Sequence, residues 1–263
     1  MKKFLLAAFV LVCADGGALW TPSVSAGPLD DAAERYRLHL IADIDHALAR
    51  VRMLRERAGA GDLDGAKRAW IEARVGWERS EVFTSGFVPV LDQQIDAWPN
   101  ALHGFHGIET KLFGTSRVDI GEEIDALRND LSALAAQVRS IPLTPQGLLN
   151  GIVRLAYEVG ESKTSGGESR VSGTSLNDMQ SNADGIALAY RVVFLDAVAR
   201  SDNEIAQALQ AAIQRLKDDV KAANLRDLDS EKLRNDSEEL VVLLQHAAPK
   251  IGLSKPSLEE TPQ

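Results

Sequence analysis

The 263 residues are 45% apolar, 25% charged and only 5% aromatic, enough chain to bury a core and too polar for a multi-span membrane protein, a collagen or a wholly disordered polypeptide. Lys and Arg number 29 against 38 Asp and Glu, a net charge of −9. Such a field repels phosphate backbones and attracts cations, so nucleic acid is excluded as the main partner and metal binding is permitted.

The first predicted element is a secretory leader. Met1-Lys2-Lys3 is basic, Phe4–Val12 is an unbroken apolar run, and Val24-Ser25-Ala26 is a small-residue cleavage site. The apolar run is far short of the roughly 20 residues that span a bilayer, so an integral membrane protein is not expected. Val12 precedes Cys13 where lipidation sites prefer a small residue, which argues against a lipoprotein. Cleavage after Ala26 removes the chain's single cysteine, leaving His and carboxylates to supply any metal or acid–base chemistry.

From there the chain reads as helix throughout. Leu38, Ile41, Ile44, Leu48, Val51 and Leu54 recur at three and four, and Asp125 to Val138, Gly147 to Val159, Leu176 to Val198, Ile205 to Val220 and Glu231 to His246 follow the same period. Breaks fall at Gly59-Ala60-Gly61, Trp98-Pro99-Asn100, Gly114, Pro142 to Pro145 and Ser162 to Ser175. The expectation is an all-α, antiparallel helical bundle over residues 27–250, with room for two packed lobes and a cleft, followed by a flexible tail over 251–263.

One stretch concentrates acids, histidines and aromatics. Glu78 and Glu81 are three apart, Asp92 and Asp96 four apart, His106 and Glu109 three apart; on helices each pair presents two donors to one side. Facing a common centre they would make an oxygen-rich site with one imidazole, as Glu and Glu-x-x-His pairs do in di-iron bundles. A helical His and Glu at that spacing also commonly form a surface ion pair. His103 extends the pattern by a turn as an accessory ligand. His39, His46 and His246 stand alone as structural residues, and Trp70, Phe83, Phe87, Phe105, Phe113 and Tyr157 read as core or cleft wall.

W-E-R-S-E (77–81), D-Q-Q-I-D (92–96) and G-F-H-G-I-E (104–109), followed by Glu158 to Gly185 with its E-V-G-E-S-K-T-S-G and T-S-L-N-D-M-Q-S-N-A-D-G runs, resemble the imelysin-like family and, within it, the EfeO/EfeM type of periplasmic iron-uptake protein. Two blocks in the right order are far more specific than one tetrapeptide. The resemblance implies a helical bundle with a metal site at His106 and Glu109, joined by Glu78, Glu81, Asp92, Asp96 and Glu158. It also implies iron (Fe2+ or Fe3+) as the captured ion, and an inner-membrane iron permease and a periplasmic haem peroxidase as partners. The expected form is the short one, without the copper-type domain that longer members carry ahead of the bundle. Trp77 stands where Tyr is common and Thr110 where an aromatic is usual, while Asp96-Ala97-Trp98-Pro99 leans towards other imelysin-like branches. Carboxylates with one imidazole suit Fe or Mn and also admit Zn2+ or Cu2+.

Two other readings follow from the same family. A metallopeptidase would need more than the half-site His106/Glu109 provides, since no H-E-x-x-H sequence is present. A binder of an anionic polysaccharide such as alginate would need a basic cleft, and Arg50, Arg52, Arg55 and Arg57 spread around their helix as a solvated face. Ser162 to Ser175 lacks the ending of a phosphate loop; Thr174 or Ser175 instead reads as a helix N-cap, with Glu168 and Arg170 at the rim of the site.

Overall fold

A computed structural model describes residues 27–98, 102–161, 163–164 and 168–258; the expected leader, residues 1–26, lies outside them. Helix α1 (Pro28–Gly59) opens on a proline at its first turn, with Asp30 accepting from the Gly27 amide at 2.8 Å. It stops where Gly61 adopts a left-handed conformation. Helix α2 (Leu63–Phe87) is capped by Asp62, which accepts from the Gly65 amide at 2.9 Å. Pro89 ends it, because Val88 before the proline leaves helical geometry. Two short helices follow, α3 (Pro89–Asp96) and α4 (Gly104–Glu109), the latter running into a π-turn at Thr110–Gly114.

The remaining helices are α5 (Gly121–Gln137), α6 (Pro145–Gly160), α7 (Ser175–Ala189), α8 (Leu195–Ser201), α9 (Asn203–Asp219) and α10 (Ser230–Ala247). Thr144, Asp202 and Asp229 cap α6, α9 and α10 with side-chain bonds of 3.0–3.2 Å. A π-turn at Tyr190–Phe194 interrupts what the sequence reads as one helix from 176 to 198, dividing α7 from α8. Thr174 holds the cap position of α7, but its hydroxyl pairs with Ser172 and caps nothing. No strand occurs among the described residues, and the all-α expectation holds.

Helix α2 is the hub. It packs on α1, which also contacts α5, and on its other side against α6 and α7; α9 and α10 complete that second group. One continuous apolar cluster, from Ala32 to Ala248, runs through both groups, so they share α2 and a core. Two close crossings set the geometry. A Cβ on Gly151 of α6 would lie 1.8 Å from the Val82 carbonyl oxygen, and one on Gly185 of α7 would lie 2.5 Å from that of Arg79. These glycines bring both backbones against the turn of α2 that carries Glu78 and Glu81.

Packing shifts some sequence-level assignments. The buried stripe of α1 runs through Tyr36, Leu40, Ile44, Leu48, Val51 and Leu54, and Leu38 is exposed, as expected when a 3.6-residue period drifts across a long helix. Tyr157 is also largely exposed and belongs to no core wall. Residues 251–258 were expected to fray. They are instead tied to the bundle: Ser254 exchanges backbone hydrogen bonds with the Gln146 side chain and Gln245 donates to the Pro256 carbonyl.

Candidate metal centre

The site forms where α2, α3, α4 and α7 meet residues 163–164 and 168–174. Helix α4 is fixed before any ligand chemistry is considered. Gly104 has φ +59, and a Cβ there would fall 2.3 Å from the Ile95 carbonyl oxygen, so only glycine permits the chain to enter α4 against the end of α3. Phe105 lies between Trp70 and Trp77, and Trp70 Nε1 donates to its carbonyl at 3.0 Å. His106 on the next position is buried, with Trp98 over its ring at 5.2 Å.

His106 and Glu109 were expected to point two donors at one centre. They bond to each other instead: His106 Nδ1 lies 2.8 Å from Glu109 Oε2, and Glu109 Oε1 accepts from the Ser172 amide at 2.8 Å and hydroxyl at 2.7 Å. Burial pushes the Glu109 carboxyl up, but these bonds outweigh it and hold it below the usual carboxylate range. An ionised carboxylate only accepts, so Nδ1 carries the proton. In the neutral ring that leaves the lone pair on Nε2, which is buried without a hydrogen-bond partner, 3.5 Å from Asp96 Oδ1. A carboxylate fixing one imidazole nitrogen while the other faces donors is the usual support for a histidine ligand.

Two sets of donor atoms overlap at Asp96 and Glu168, one of which includes His106. Asp96, His106 and Glu168 form one, and Glu78, Glu81, Asp96 and Glu168 the other, the atoms of each lying within 4.8 Å of one another. Asp96 thus shares one set with His106 and the other with Glu78 and Glu81, and neither set holds His106 together with those two glutamates. The structure does not bring Asp92 and Glu158 into either set: Asp92 is pushed up to about 6 by burial, beside Arg154, Asp96 and Glu158, and Arg154 bridges Glu158 Oε1 at 2.8 Å and the Glu81 carbonyl at 3.0 Å. His103 is exposed at the N-cap of α4 and is no accessory ligand.

Sequence reasoning missed the cations at the centre. Arg74, on α2 one turn before Glu78 and fully buried, donates to Asp96 at 3.1 Å, Glu168 at 3.0 Å, both oxygens of Asp178 at 3.1–3.2 Å, and Glu78. Lys163 places Nζ 3.0 Å from Glu78, 3.1 Å from Glu81 and 3.0 Å from Glu168. Asn182 donates to Glu78 Oε2 at 2.9 Å and Glu81 Oε2 at 2.8 Å. The one readable signal was in α7, where Asp178 and Asn182, four apart, put polar groups on a face that otherwise buries Leu176, Met179, Ala183 and Ile186.

The electrostatics follow this arrangement. Burial opposes ionisation of Glu78, but Arg74 and Lys163 override it and lower the carboxyl to about 2. Glu81 is raised well above its ordinary value by burial and by Glu78. Glu168 rises to about 8 through burial, against Lys163 and with help from Glu78 and Asp96, and burial lifts Asp178 to about 6. A partly exposed cleft was expected; the cluster is nearly enclosed, and solvent reaches it chiefly at Asp96, 14% exposed, and Glu81, 12%.

The structure defines an all-helical bundle, and comparison with known proteins agrees with that fold. The imelysin family model matches residues 32–102 and 99–248. The chain belongs to the imelysin family, as a member of its EfeO/EfeM type. It is 28% identical over 199 residues to the iron uptake system component EfeM of Pseudomonas syringae, covering 70% of this chain and 68% of that protein. It is likewise 28% identical over 193 residues to an EfeM/EfeO family lipoprotein of Staphylococcus haemolyticus, covering 69% and 67%. Against the iron uptake system component EfeO of Yersinia pseudotuberculosis the identity is 28% and the match spans 67% of this chain but 49% of the relative. A crystal structure from Parabacteroides distasonis, assigned as an iron-regulated protein A precursor, superposes with a TM-score of 0.67 at 16% identity, covering 87% of this chain and 97% of that one, and shares the fold.

Proposed function

We propose that this protein captures iron in the periplasm and passes it to a membrane permease, holding the ion between His106 Nε2, Asp96 and Glu168. The observation that carries the reading is the imidazole nitrogen: buried, unpartnered, backed by Glu109 on its other nitrogen, and aimed at carboxylates. Hard oxygen donors with one imidazole fit Fe(II) or Fe(III). The relatives named as iron uptake components supply the biological direction, and no helix among the described residues is long and apolar enough to cross a membrane.

The chemistry also supplies a means of release. With Glu168 raised to about 8, its carboxyl retains protons at neutral pH when no ion is bound. An arriving cation displaces them, so binding strengthens as pH rises and weakens where protons compete. Anaerobic Fe(II) titration calorimetry in two buffers of different protonation enthalpy tests this. The wild-type protein is expected to bind with net proton release at pH 7 and more tightly at pH 8 than at pH 6. An Asp96→Asn/Glu168→Gln double variant is expected to lose at least ~100-fold in affinity, beyond the cost of removing supporting groups alone. Undiminished binding by the double variant would place the ion elsewhere.

A further inference from the structure

The two donor sets share Asp96 and Glu168. Shared carboxylates are how helical bundles hold a pair of cations, with two metals typically about 3.5–4 Å apart. The two sets differ in which of their donors are already engaged by cationic side chains. In the set that contains Glu78 and Glu81, Lys163 Nζ makes contacts of 3.0–3.1 Å to Glu78, Glu81 and Glu168, which uses all three ammonium donors. In the set that contains His106, Arg74 donates to Asp96 at 3.1 Å and to Glu168 at 3.0 Å and Lys163 reaches Glu168, but the imidazole Nε2 has no partner.

We infer that Lys163 is the resident cation of the second position and holds the site to a single metal ion beside His106. This deepens the metal-binding reading and rests on it. The ammonium is a compact point charge of the kind a cation position accepts. Its side chain is 4% exposed, and its backbone is tied to α6 through a bond from the Lys163 amide to the Glu158 carbonyl at 3.1 Å. Lys163 is thus a residue that sets stoichiometry, separating a one-ion carrier from the two-ion arrangement its carboxylates could otherwise support.

The test is metal stoichiometry and lysine accessibility, using ferrous ion alone under anaerobic conditions. Wild-type protein is expected to bind one Fe(II) per chain, and the Lys163→Ala variant, checked for an intact helical spectrum, to bind two. In loaded wild-type protein Lys163 is expected to stay protected from amine acylation, as judged by peptide mass spectrometry, to the same degree as in empty protein. Two ions in the wild type, one ion in a folded Lys163→Ala variant, or acylation of Lys163 on loading would each overturn the inference. If the alanine variant does not fold, the acylation measurement on the wild type decides. Absence of saturable binding in the wild type would contradict the metal site itself and this inference with it. A bound ion with the wrong count or an accessible Lys163 contradicts only the role of the lysine.

Discussion

Replacing Arg74 with alanine is expected to cost about 3–5 kcal/mol of folding stability at pH 7, the range for breaking a buried ion network by removing one partner. For a domain of this size that is roughly 10 °C in Tm. The reason is the number of carboxyls one guanidinium serves: Glu78, Asp96, Glu168 and Asp178 all accept from it, and it also lies over the rings of Trp70 and Phe105. The sign of the pH dependence follows from linkage. Without Arg74 the carboxyls of Glu168 and Asp178 rise further above their unfolded values and Glu78 loses a charge that holds it down, so the native state gains protons relative to the wild type and the cost of the substitution grows as pH rises. The deficit is therefore expected to be largest at pH 8 and smallest near pH 5. The wild type already leans the same way through Glu168, raised to about 8, and Asp178, raised to about 6. Glu78, lowered to about 2, contributes stability that is present above pH 4.5 and lost as pH falls towards 2. Urea unfolding of both proteins at pH 5, 7 and 8 measures all of this. A loss below about 1 kcal/mol at pH 7, or one that does not change with pH, would show that Arg74 is not what compensates the cluster.

The second large effect separates a ligand from its support. His106→Ala removes the only imidazole of the cluster and is expected to lower Fe(II) affinity by more than ~100-fold. Glu109→Gln keeps that ligand and weakens only the bond to Nδ1 at 2.8 Å, so a loss of about 10–100-fold is expected. Asp92→Asn and Glu158→Gln, outside both converging sets, are expected to change affinity by less than about threefold. Equal losses at His106 and Glu109 would make both direct ligands, and a loss at Asp92 as large as at His106 would contradict the assignment of the centre.

The helices were legible because they are built from local signals, the 3.6-residue period and the Gly and Pro breaks at 59–61, 114, 142–145 and 162–175, while the break at Pro89 and the Asp and Thr caps emerged only in the structure. The pairing of Glu78 with Glu81 was legible for the same reason, since it follows from spacing on one helix. What spacing cannot show is which way a neighbouring element turns. Glu109 shares the face of His106 and so reaches His106 itself, while Ser172, brought in by the segment before α7, completes its bonding. Asp92 and Asp96 share a helix, yet α3 ends at Asp96, leaving that residue at the junction with α4 while Asp92 faces Arg154. Arg74 and Lys163 escaped notice because each reads locally as an ordinary surface charge. Their burial is decided by the close approach of α6 and α7 at Gly151 and Gly185, a property of the assembled bundle.

The most direct measurement is an anomalous difference map, collected at the iron absorption edge, from crystals of the wild-type protein grown anaerobically with Fe(II). A single peak about 2.1 Å from His106 Nε2, with carboxylate oxygens of Asp96 and Glu168 in contact, is the result expected. A peak remote from His106, or none at the iron concentration that saturates the protein in solution, would contradict the claim that this cluster is the iron-holding centre.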